Sequence, residues 1–168
     1  DAAGNETRKY PYGNMYAHVV GFSTNGKSGI ESNMKFNLLR SHSFVLERMF
    51  NEIKDEKSMG DNVVTTLDST LQETAYQALG NYDGAVVVME PSTGRILAMV
   101  SKPDFDPNTI AADWDSIISE DNNNSVLLNR ATQGLYPPGS TFKIITTLEY
   151  IRENPDYENY SYSCNGSI

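Results

Sequence analysis

Ser140 and Lys143 are the two residues of this chain whose types and spacing could do covalent chemistry. Side chains three positions apart on a helix share a face. A serine hydroxyl beside an amine able to take its proton is a nucleophile beside a base. Tyr136-Pro137-Pro138-Gly139 comes just before the pair, and two prolines and a glycine continue neither helix nor strand, so they force a turn. The stretch from Ser140 to Ile151 then reads as a helix, with apolar residues at 144, 145, 148 and 151. Ser140 is placed in its first turn, where free backbone N–H groups and the helix dipole favour developing negative charge.

Spacing alone does not single this pair out. A chain this rich in serine holds about one Ser-x-x-Lys by chance, and a second, Ser32-Asn33-Met34-Lys35, is present. It has no turn before it and lies in a polar stretch that reads as a solvated helix. Read for structure alone, Ser140 is an N-cap and Lys143 a solvated helix charge.

The bulk properties limit the options. The 168 residues suffice for one domain or two small ones with a real core. Hydrophobic residues make up 39% of the chain, which suits a globular protein. A net charge of −9 disfavours nucleic acid or an anionic membrane surface as partner. The single Cys164 rules out an internal disulfide. His18 and His42 lie far apart with no cysteine near either, so no metal-site spacing exists and no cofactor is expected. The apolar run near Ala85–Met89 is far too short to cross a membrane.

The positioning elements divide near residue 61. Residues 1–61 begin polar and turn-rich, with a short apolar run at Tyr16–Phe22 that reads as a strand or buried turn. An amphipathic helix follows over Ser43–Ile53, with Leu46, Met49, Phe50 and Ile53 on one stripe, and then a charged linker, Lys54–Asp61. In 62–168, Val63–Leu67 is β-prone and Asp68 caps a helix running to Gly80, with Leu71, Ala75, Ala78 and Leu79 inward. Ala85–Met89 and Arg95–Val100 form a hairpin around Glu90–Gly94. Both strands are nearly continuous in apolar residues, which predicts a sheet covered on both faces, by the Asp68 helix on one and the Ser140 helix on the other. The acidic stretch 103–124 reads as loop, anchored by Trp114 in a helical turn. The overall class is α+β.

The order of these pieces resembles a class B penicillin-binding protein, the peptidoglycan D,D-transpeptidase that β-lactams inhibit, and Ser-x-x-Lys is among that family's motifs. Arg8-Lys9-Tyr10-Pro11-Tyr12-Gly13, Ala17-His18-Val19-Val20-Gly21 and Ser28-Gly29-Ile30-Glu31 resemble the pedestal, or dimerisation, segment before the catalytic domain. Thr65-Thr66-Leu67-Asp68 with Leu71-Gln72 resembles the entry to the transpeptidase domain, and Gly84–Val88 with Gly94–Met99 its first hairpin. Phe105-Asp106-Pro107-Asn108 and Asn129-Arg130-Ala131 complete the approach to Tyr136–Lys143. The resemblance implies that Ser140 attacks the D-Ala-D-Ala carbonyl of a stem peptide, with Lys143 as general base. The backbone N–H of Ser140 would be one oxyanion donor. It implies β-lactams as ligands, elongation or division proteins as partners, and an extracytoplasmic site of action. The parent protein would be anchored to the membrane by an N-terminal helix that lies outside this chain.

The family also needs a Ser-x-Asn and a Lys-Thr/Ser-Gly after Ser-x-x-Lys. Ser163-Cys164-Asn165 follows Lys143 too closely, while Lys27-Ser28-Gly29 and Ser23-Thr24-Asn25 lie upstream. The expectation is therefore a fragment, inactive alone, holding the pedestal segment (1–61) and the truncated N-terminal part of the transpeptidase domain (62–168). A β-lactamase or β-lactam sensor of the same serine chemistry, or a non-catalytic interaction module, are the competing readings.

Overall fold

A computed structural model describes residues 8–40, 49, 53–54, 60–119 and 125–166. Short helices α1 (Ala17–Val20), α2 (Gly29–Asn33) and α3 (Lys35–Leu39) precede the eleven-residue helix α4 (Ser69–Leu79). Strands β1 (Gly84–Glu90) and β2 (Arg95–Lys102) follow, then helices α5 (Ile110–Ile118), α6 (Arg130–Gln133) and α7 (Lys143–Glu153). Asp1–Gly134 and Leu135–Ile168 are two separate compact units. The helix expected over Ser43–Ile53 and most of the Lys54–Asp61 linker lie outside the described residues.

α4 starts where Asp68 predicts it. The Asp68 carboxylate accepts the Leu71 N–H at 2.9 Å, satisfying one of the donors a first turn leaves free. Its inward stripe is Gln72, Ala75, Tyr76 and Leu79, spaced at i, i+3, i+4 and i+7. Leu71 and Ala78, expected inside, are exposed, and the polar Gln72 is fully buried instead. Burial is tolerable because the Gln72 amide is hydrogen-bonded at both ends: Nε2 donates to the carbonyls of Met15 (2.8 Å) and Met99 (2.9 Å), and Oε1 accepts the Met99 N–H (2.8 Å). Left unpaired, such a group would cost about 1–3 kcal/mol.

β1 and β2 pair antiparallel, with Val86 opposite Val100 and Val87 opposite Met99, and a register shift at Val88/Met89. Val86, Val88, Ala98 and Val100 meet Ala75, Tyr76 and Leu79 of α4 in one core cluster. Burial alternates along β1, and Val87 and Met89 are 46% and 53% exposed on the face away from α4. A β-branched run reads as doubly buried, yet period-2 geometry sends alternate residues to opposite faces, and α4 covers only one of them.

A second cluster joins the N-terminal residues to the loop after β2. Ala17, Phe22, Phe105 and Ile110 are buried together, with Trp114 against them. Phe22 meets Phe105 and Trp114 edge-on at 5.6 and 5.8 Å between ring centroids. Aromatic pairs favour this geometry because a positive ring edge meets a negative face. Trp114 thus anchors the acidic stretch as expected, though on a nine-residue helix. Tyr16–Phe22 forms the short helix α1 and a turn at Gly21, not a strand. Gly21 has φ of +82°, and a Cβ there would stand 2.0 Å from the Ser28 carbonyl oxygen, so only glycine fits. Val63–Leu67 forms no strand of the sheet.

Candidate active site

Ser140 does not open an α-helix. It sits in a 3-10 turn, Gly139–Phe142, that leads into α7 at Lys143. In a 3-10 turn residues i and i+3 eclipse, so the tighter winding lines Ser140 up with Lys143 along the axis more closely than an α-helix would. The turn is built by its lead-in. Gly139 takes φ of +54°, a left-handed conformation that a side chain would strain, and open space surrounds the position of a Cβ. The Pro138 carbonyl, at the N-cap of the turn, accepts both the Thr141 N–H (3.2 Å) and the Thr141 hydroxyl (2.5 Å). The Lys143 N–H donates back to the Ser140 and Thr141 carbonyls. Thr141 is a turn-closing residue that the motif spacing did not reveal; a threonine three residues after a proline carbonyl is the available signal.

The site lies wholly in the second unit and is open. Ser140 and Lys143 are both exposed, as are Ile144, Ile145 and Leu148 along α7, at 66%, 58% and 62%. None of the described residues of α7 is buried. Tyr150 and Tyr160 pack edge-on at 5.5 Å and hold the segment after α7 back against the helix. Ser140 and Lys143 thus stand three residues apart at the start of α7, both exposed to solvent. Among the described residues no group of three or more His, Cys, Asp or Glu side chains could hold a metal, and no helix is long and apolar enough to cross a membrane.

The decoy motifs fall elsewhere. Ser32 and Lys35 lie on different helices, α2 and α3, broken at Met34, so their spacing carries no shared face. Lys27-Ser28-Gly29 is the entry to α2, not a strand. Asn129 is more than an approach residue: its Oδ1 caps α6 by accepting the Ala131 N–H at 3.0 Å, while its Nδ2 donates to the His18 carbonyl at 3.2 Å.

Comparison with known proteins agrees with this layout. The penicillin-binding protein transpeptidase domain matches residues 84–167, and the penicillin-binding protein A dimerisation domain matches 2–63. The peptidoglycan D,D-transpeptidase PbpA of Mycolicibacterium smegmatis is 41% identical over 162 residues, covering 83% of this chain and 31% of its own length. The peptidoglycan D,D-transpeptidase MrdA of Acinetobacter baumannii is 35% identical, covering 82% and 25%. Penicillin-binding protein A from Mycobacterium tuberculosis superposes with a TM-score of 0.77 at 36% identity, over 88% of this chain and 37% of that one; its penicillin G acyl-enzyme complex superposes at 0.73. The chain spans about a third or less of the length of these curated relatives.

Proposed function

The chain belongs to the penicillin-binding protein transpeptidase family, and on that premise we propose that it carries the nucleophilic part of a peptidoglycan D,D-transpeptidase. The observation that supports this most directly is the 3-10 turn. It sets Ser140 one turn ahead of Lys143 at the start of α7, inside the stretch matched by the transpeptidase domain. Ser140 Oγ attacks the carbonyl between the two D-alanines of a stem peptide, and Lys143 Nζ takes the hydroxyl proton. The tetrahedral oxyanion is held in part by the Ser140 N–H. Its collapse breaks the peptide bond, and the proton passes to the departing D-alanine amine. An amine of a second stem peptide then displaces Ser140 from the ester and closes the cross-link. A β-lactam carbonyl enters the same path, but its leaving group stays tethered, so Ser140 remains acylated. The site of action is the outer side of the cell membrane, where peptidoglycan is built.

Residues 1–61 form the pedestal, or dimerisation, segment and 62–168 the beginning of the transpeptidase domain in this reading. In this reading Ser140 and Lys143 work together with a Ser-x-Asn and a Lys-Thr/Ser-Gly that line the same cleft. Incubation with a fluorescent penicillin tests this. Residues 1–168 alone are expected to label slowly or not at all, and a protein joining them to those two motifs rapidly. Fast stoichiometric labelling of 1–168 would show that Ser140 needs no completing residues.

A further inference from the structure

Residues Tyr10–His18 are fastened to the rest of the first unit by hydrogen bonds that all involve side chains. Asn108 holds Tyr10 on both sides: its Oδ1 accepts the Tyr10 N–H at 2.9 Å and its Nδ2 donates to the Tyr10 carbonyl at 3.0 Å. Asn14 Nδ2 donates to Asp104 Oδ1 at 2.9 Å. Gln72 takes the Met15 carbonyl, and at the far end His18 Nε2 meets the Pro103 carbonyl at 3.1 Å while Asn129 grips the His18 carbonyl. The ties fall at residues 10, 14, 15 and 18, with the 3-10 turn Gly13–Tyr16 and the start of α1 between them. Proteins open locally in roughly contiguous cooperative units, and ties this closely spaced lie within one such stretch.

Gln72 connects this segment to the sheet. Met99 lies opposite Val87 at a position whose N–H and C=O point away from β1, toward Gln72. The Gln72 amide gives one N–H and takes one there, as the peptide group of a third strand would. Thr66 and Asp68 continue the closure of that edge: Thr66 Oγ1 donates to the Ile96 carbonyl at 2.6 Å and the Asp68 N–H to the Leu97 carbonyl at 2.8 Å. The outer edge of β2 is thus sealed largely by side chains, and the same glutamine nitrogen that seals it also holds Met15.

We propose that Tyr10–His18 is a strap that seats and lifts as one piece, and that Gln72 couples its seat to the edge of β2 at Met99. Backbone hydrogen exchange on the intact chain tests this. The Met99 amide reports the Gln72 bond, and the Gly13 and Gly21 amides, bonded to Tyr10 and Ala17, report the strap. Gln72→Met should speed exchange by about tenfold or more at Met99, Gly13 and Gly21 together. The Val86 and Val100 amides, facing each other inside the ladder, should keep their protection. Asn108→Ala, which touches the strap only at Tyr10, should speed exchange at the distant Met99 as well as at Gly13. Acceleration confined to Met99 in the first variant, or to the Tyr10 end in the second, would show independent local contacts and overturn the proposal. If Gln72→Met loses protection everywhere, Asn108→Ala decides alone.

Discussion

At the scale of single residues, burial and conformation set what each side chain does. His18 is buried, and burial holds its ring below the ordinary histidine range, against the opposing pull of the Pro103 carbonyl and the Asp104 charge; Arg130 adds to the lowering. The folded chain therefore resists a proton that the unfolded chain accepts near pH 6.5. Stability is full above that pH and declines as pH falls through it toward the lower folded value. Thermal unfolding between pH 7.5 and 5.5 should show this decline, and His18→Gln should flatten it; an unchanged slope in the variant would assign the effect to other groups. Tyr76 is pushed up to about 12, first by burial and then by its hydrogen bond to Asp104, so it stays a neutral donor at any physiological pH. Gly21 is the opposite case, fixed by space. Gly21→Ala should destabilise the first unit by at least about 2 kcal/mol in chemical denaturation, since the added Cβ meets backbone that cannot swing aside.

At the scale of elements, what was legible in the sequence was whatever has a local cause. The Asp68 cap, the Gly80 end and the β1–β2 hairpin follow from short-range chemistry, and the structure has them within one or two residues of their expected limits. Asp68→Ala should cost about 1 kcal/mol and loosen the first turn of α4, measurable as faster exchange at Leu71. What was not legible depends on partners distant in sequence. Gln72 takes a core position in place of Leu71 because Met15 and Met99 supply its hydrogen bonds, and no local pattern announces them. Ser140 enters a 3-10 turn because Pro138 offers one carbonyl to both the N–H and the hydroxyl of Thr141, a choice between two windings that apolar periodicity does not resolve. The alternating burial of β1 was hidden for a related reason, since Val-Val-Val does not show which of its residues face α4.

At the scale of the whole chain, burial is uneven. The first unit holds both core clusters, while the second keeps Leu135, Ile144, Ile145 and Leu148 largely in solvent. Ile144, Ile145 and Leu148 share the start of α7, and exposed apolar side chains grouped this way invite association. Residues 1–168 should bind a hydrophobic dye and self-associate as concentration rises, and Ile145→Lys with Leu148→Lys should suppress both without lowering the unfolding temperature of the first unit. Suppression accompanied by loss of that transition would mean these side chains support the fold. The exposure of Ser140 and Lys143 was not readable in the sequence, since it depends on what surrounds α7 and not on its own residues.

The most direct test of the central claim is peptide mapping by mass spectrometry after incubation with penicillin. It should be applied to a protein that joins this chain to a downstream Ser-x-Asn and Lys-Thr/Ser-Gly. The expected result is one penicilloyl group on the peptide containing Ser140, absent from Ser140→Ala while that variant keeps its unfolding temperature. An adduct on another residue, or one that survives in Ser140→Ala, would contradict Ser140 as the nucleophile.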